Sequence, residues 1–134
     1  MRHEKSCGFI LIRDQQALLL KHQNGQHWDF CKGHVEKGES ELETALREVK
    51  EELGGMVEPI AGFRESIAYS PQKDVHKIVV FFLGRYYGNI DVQAKEISEA
   101  IWVDFDQVEE TLTFRENKEL WTRALEFMHQ YQIK

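Results

Sequence analysis

Glu48, Glu51 and Glu52 crowd the end of the stretch GHVEKGESELETALREVKEELGG, residues 33–55, which holds seven glutamates against Lys37, Arg47 and Lys50. On a helix of ~100° per residue, Glu48 and Glu52 stand one turn apart on one side, with Glu51 beside them. Like charges at that spacing cost ~0.2–0.5 kcal/mol per pair. Carboxylates near a helix C-terminus also oppose its dipole, and Arg47 offsets only part of this. A hard divalent cation resolves the conflict, because Mg²⁺ takes oxygen ligands and commonly shares them with phosphates. Taken alone, the three residues also suit a solvated acidic face.

The elements that must position them follow from pattern. Ser40 followed by Glu43 is a capping box. Leu42, Ala45, Leu46, Val49 and Leu53 recur at helical spacing, and Gly54-Gly55 is a stop. A helix over about 40–53 results. With its apolar stripe at zero, Glu52 is expected ~80° away, Glu48 ~120° and Glu51 ~180°. Upstream, SCGFILIRD and QALLLKHQ read as strands joined at Asp14-Gln15, NGQH as a turn and WDF as a short strand. Residues 31–39 read as a loop. Downstream, MVEPIAGFRESIAYS and HKIVVFFLGRYYG form a strand pair and AIWVDF a further strand. DQVEETL and ENKELWTRALEFMHQYQ are helices. The irregular alternation predicts an α/β fold, an α/β/α sandwich on a mixed sheet.

The chain has 134 residues and a net charge of −6, which fits one domain spanning 1–134 and argues against a general nucleic-acid-binding face. No apolar run approaches membrane-spanning length, and no signal-peptide pattern opens the chain. Cys7 and Cys31 form neither a metal-site spacing nor a disulfide framework. A cytoplasmic monomer with a small-molecule substrate, and no membrane or nucleic-acid partner, is expected.

The order Gly33, five residues, Glu39, seven residues, Arg47-Glu48, Val49, one residue, Glu51-Glu52, one residue, Gly54 resembles the signature of the Nudix hydrolases. These enzymes cleave nucleoside diphosphates linked to another moiety. Gly55 departs from the bulky aliphatic usual at the last position. The resemblance implies a Nudix-type sandwich with a loop–helix–loop site for Mg²⁺ or Mn²⁺. Glu48, Glu51, Glu52 and the Lys32 carbonyl would be ligands. Glu96, six residues before Trp102, would be a further ligand, with Glu99 the fallback. Glu39 and Arg47, with Gly33, would fix the loop and orient the ligands. Glu48, then Glu51, is the candidate general base.

Beyond the signature, HWDFCKGHVEKGESELETALREVKEELG, FRESIAYSPQKDVHKIVVFFLGRY and EISEAIWV resemble the asymmetric diadenosine tetraphosphate hydrolase branch. That branch yields ATP and AMP. The resemblance implies phosphate contacts at His27, Lys32 and Lys77, and base stacking on Tyr69 and Phe114. Cys31 replaces the proline usual before the Lys-Gly pair. The alternatives are a nucleoside triphosphate pyrophosphohydrolase that sanitises the nucleotide pool, another nucleotide-linked substrate such as a nucleotide sugar, an RNA 5′ pyrophosphohydrolase, or, more distantly, a non-catalytic nucleotide-binding domain.

Overall fold

The computed structural model describes residues 1–93 and 95–134. Its strands are β1 (Arg2–Arg13), β2 (Gln16–His22), β3 (Trp28–Asp29), β4 (Cys31–His34), β5 (Met56–Tyr69), β6 (Val75–Tyr87) and β7 (Ile97–Asp104). The helices are α1 (Glu41–Leu53), α2 (Val108–Thr111) and α3 (Arg115–Gln130). The strands form one sheet of order β3-β2-β1-β6-β5, with β4 against β1 and β7 against β2. Only the β1–β6 pairing is parallel among those described, so the sheet is mixed.

Side chains of β1 alternate between two cores, as strand pleating requires. Cys7, Phe9 and Leu11 join Ala45, Val49 and Leu53 of α1, while Ile10 and Ile12 join Leu120, Trp121, Ala124 and Met128 of α3. One helix layer therefore covers each face, which is the expected sandwich.

Three segments differ from the sequence reading, one of them β7, which begins at Ile97 rather than Ala100 and pairs Glu99 with Lys21. β1 begins at Arg2, because parallel pairing with Val75–Ile78 holds its polar first residues. Residues 31–34 form a strand rather than a loop, with Cys31 opposite Phe9 and Lys32 opposite Gly8. None of these signals is local: each depends on a partner strand distant in sequence.

The α1 face is also rotated from expectation. Thr44, Ala45, Val49, Glu52 and Leu53 are buried, whereas Leu42 and Leu46 are exposed. With Ala45 at zero, Glu52 falls near −20°, Glu48 near −60° and Glu51 near −120°, at ~100° per residue. Glu52 thus sits at the middle of the buried arc. The two exposed leucines had drawn the inferred stripe away from it.

Candidate active site

α1 starts and stops as its sequence dictates. The Ser40 hydroxyl accepts from the Glu43 N–H at 3.1 Å, and Glu43 accepts from the Ser40 N–H at 2.8 Å. Gly54 closes the helix at φ 79°, its N–H donating to the Lys50 carbonyl at 3.0 Å. The N–H groups of Gln93 and Asp91 then satisfy the carbonyls of Glu52 and Leu53. Gly55, the departure from the signature, leaves room for Tyr86. A Cβ there would overlap the Tyr86 hydroxyl, which donates to the carbonyls of Asn89 and Leu53.

The fixed helix end delivers its glutamates to one groove of about 360 Å³. Glu48, Glu51 and Glu52 line it with Glu96, Lys32, Lys77, Gly33, Arg47, Ser6 and His22. Glu99 is not among its lining residues, so the carboxylate six residues before Trp102 reaches the groove and the fallback does not. Gly33 lets the Glu48 carboxylate approach the strand: a Cβ there would push that carboxylate aside.

Arg47 organises the groove's back wall. Its Nε donates to Glu39 Oε2 at 2.6 Å and its Nη2 to Glu39 Oε1 at 2.9 Å, a two-pronged clamp. Nη1 donates to Glu48 at 2.9 Å and Glu51 at 3.1 Å, and Nη2 also reaches the His34 carbonyl at 3.0 Å. Glu39 accepts in addition from the Glu36 N–H and the Thr44 hydroxyl. The Arg47 hydrogen bonds, aided by these two, hold its pKa down at about 2. The loop, the helix and the Glu48 and Glu51 carboxylates are thereby tied through one guanidinium.

Glu52 is 5 % exposed. Burial pushes its pKa up to about 8; a hydrogen bond from Cys31 Sγ at 3.0 Å pulls down, and the Glu48 charge pushes further up. Burial also raises Glu48 against the opposing pull of Arg47. The donor set fits a hard divalent cation. Five carboxylates, Glu36 included, line one groove against Arg47, Lys77 and a Lys32 already paired with Asp29, and the most buried has only a weak thiol donor.

The remaining predicted residues meet in a second, adjoining cavity. His27, Lys32, Tyr69 and Phe114 line a space of about 450 Å³ together with Asp29, Ile67, Ser70, Pro71, Glu116 and Asn117. Lys32 lines both concavities, and Lys77 lines the groove. Phe114 is exposed and packs edge-tilted on His27, at 5.1 Å between ring centres.

Lys32, an expected phosphate contact, is paired with a carboxylate. Its Nζ lies 2.8 Å from Asp29 Oδ2. Burial works against its charge, and Asp29 more than offsets that, so its pKa is raised. Asp29 Oδ1 accepts from the Phe30 N–H at 2.6 Å and from Asn117 Nδ2 at 3.0 Å. No local pattern marks this triad, which joins β3, β4 and α3. Lys77 has no carboxylate within salt-bridge distance among the described residues, and burial followed by repulsion from Lys32 lowers its pKa.

His22 is a further residue the sequence reading missed. Its ring stacks on His27 at 4.3 Å and 15°, forming a wall shared by groove and cavity. Burial and the Lys32 charge depress its pKa to about 4. His22, His27 and Asp29 each offer a ligand atom within 4.8 Å of the others. Asp29 is already committed to Lys32, Phe30 and Asn117. The two rings and Asp29 form a wall between groove and cavity.

Similar proteins identify the family. The NUDIX domain family matches residues 2–125. The chain belongs to the Nudix family. It is 31 % identical to the asymmetrical bis(5′-nucleosyl)-tetraphosphatase of Sus scrofa, over 92 % of this chain and 95 % of that one. A Nitratiruptor RNA pyrophosphohydrolase is 45 % identical over 37 % of this chain and 33 % of its own. A C. elegans Ap4A hydrolase structure superposes with a TM-score of 0.87 at 23 % identity, covering 95 % and 98 % of the two chains. The sandwich is therefore a Nudix fold and the chain a Nudix hydrolase. No described helix is long and apolar enough to cross a membrane.

Proposed function

We propose that this Nudix hydrolase cleaves dinucleoside polyphosphates asymmetrically, converting diadenosine tetraphosphate to ATP and AMP, with Mg²⁺ or Mn²⁺ as cofactor. One observation carries the reading: an acidic groove and an aromatic-walled cavity share Lys32 as a common wall. A substrate with a flat base joined to a long anionic chain fits that pair. The similarity to the Sus scrofa enzyme supports the same substrate class.

Glu48, Glu51, Glu52, Glu96 and the Lys32 carbonyl would hold the ions. When bound, the ions supply charge neutralisation and a more acidic water. The chain's own groups do the rest. Tyr69 and Phe114 stack the base, at ~1–3 kcal/mol per stacked base in single-strand binders. Lys77, which forms no salt bridge among the described residues, takes phosphate charge. Lys32 does so while held in place by Asp29. Glu48 is the first candidate to accept the proton of the attacking water; burial raises its pKa against the pull of Arg47. Glu51 is the second. Arg47 and Glu39 keep both carboxylates aimed.

A second reading is nucleoside triphosphate hydrolysis with pyrophosphate release, since one aromatic-walled cavity adjoins the groove among the described residues. A product profile decides between them. Incubation with diadenosine tetraphosphate should give ATP plus AMP and not two ADP. Inertness toward it, with rapid pyrophosphate release from a triphosphate, would favour the second reading.

A further inference from the structure

Ser6 is a buried side chain for which neither the fold nor the proposed ligand set has a use. It is 1 % exposed, and its hydroxyl has no hydrogen-bond partner. An orphaned buried hydroxyl is a standing cost to a fold, and native proteins rarely keep one without a reason. Ser6 lines the acidic groove.

Register places it among the phosphate-directed cations. On β1, β4 and β6, Glu4 lies opposite Lys77, Ser6 opposite Val79 and His34, and Gly8 opposite Lys32. Residues two apart share a sheet face. Ser6 therefore stands between the row that carries Lys77 and the row that carries Lys32. Gly8 adds no side chain there, and a Cβ at that position would collide with the Lys32 backbone and Cβ. The strip between the two lysines thus presents one hydroxyl, and the adjoining β1 acceptor, Glu4 in the Lys77 row, is paired with Arg2 at 3.1 Å.

We propose that Ser6 is a polyphosphate-binding residue, whose hydroxyl donates to a phosphate oxygen lying between Lys32 and Lys77. This rests on the nucleoside polyphosphate reading of the groove. A change of χ1 rotamer is enough to re-aim a serine hydroxyl, so the group can stay closed off in the free chain and open toward a ligand. Its orphan state is then the expected state of the unliganded protein.

The proposal has a signature that a structural hydroxyl lacks: affinity and stability move in opposite directions. Ser6→Ala removes an unsatisfied donor, so the melting temperature of the ligand-free protein should rise by a few degrees. Calorimetric affinity for inorganic tripolyphosphate with Mg²⁺ should fall at least ~10-fold, the loss of a hydrogen bond to a charged partner. Affinity for adenosine should not change. Ser6→Thr, which keeps the hydroxyl, should retain most tripolyphosphate affinity. Equal tripolyphosphate affinity in wild type and Ser6→Ala would overturn the role of Ser6. So would a lowered melting temperature, which would reveal a structural partner. If wild type itself fails to bind tripolyphosphate, the polyphosphate reading of the groove falls, and with it the proposal.

Discussion

Glu52→Gln should make the metal-free protein more stable while destroying its response to metal. A carboxyl moved from 4.5 to about 8 disfavours its ionised form by up to about 5 kcal/mol. Glu52 is buried, so solvent screening removes little of this, but local relaxation does; a net effect of ~2–5 kcal/mol is expected. The sign follows from proton counting. Between roughly pH 4.5 and pH 8 the folded chain keeps a proton that the unfolded chain releases. Wild-type stability in EDTA must therefore fall as pH rises through that window and level off above it, with Glu48 pulling the same way. Glutamine carries no such charge, keeps the shape and still accepts from Cys31. Denaturant unfolding at pH 5 and pH 9 measures the difference. The two proteins should be close at pH 5, and the variant should be more stable at pH 9. Saturating Mg²⁺ at ~100 times its dissociation constant should restore ~2.7 kcal/mol to wild type and much less to the variant. A variant less stable than wild type at pH 9 in EDTA, or one equally stabilised by Mg²⁺, would refute the reasoning.

The same variant should lose at least ~10²-fold in turnover in saturating Mg²⁺, with unchanged circular dichroism; near-normal turnover would remove Glu52 from its assigned role. Gly33→Ala should cut activity ~10-fold or more, because its methyl group displaces the Glu48 carboxylate. An unchanged rate would show that the Glu48 position is not needed. Arg47→Lys cannot make the two-pronged clamp on Glu39. It should weaken Mg²⁺ activation several-fold and lower the melting temperature, both read from metal titrations of rate and unfolding. Tyr69→Ala should raise the Michaelis constant for diadenosine tetraphosphate ~5-fold or more while leaving tripolyphosphate affinity alone. An unchanged constant would take Tyr69 out of the cavity's function.

Much of the groove could be read from residues 33–55 because its geometry is local. A capped helix fixes the angles among Glu48, Glu51 and Glu52, and Arg47 reaches Glu39 within the same stretch. What escaped depends on chain segments far apart. The burial of Glu52 needs Cys31 above it, and β4 exists only because β1 offers it an edge. Leu42 and Leu46 look like core in a helical wheel, yet they are exposed where α1 rolls its Glu52 side onto β1 and β4. Asp29 carried no signal at all. Its role is set by Lys32, three residues on, and by Asn117, eighty-eight positions away. Ser6 and His22 lie in strands whose pattern reads as ordinary, and only the assembled groove shows that each carries a polar atom without a partner.

The central claim is that mutually repelling carboxylates are kept together because divalent ions sit among them. Diffraction from Mn²⁺-soaked crystals at the manganese absorption edge tests it most directly. Anomalous peaks within bonding distance of Glu48, Glu51, Glu52 and Glu96 are the predicted result. A groove without anomalous density at saturating Mn²⁺, its acid side chains turned outward to solvent, would contradict it.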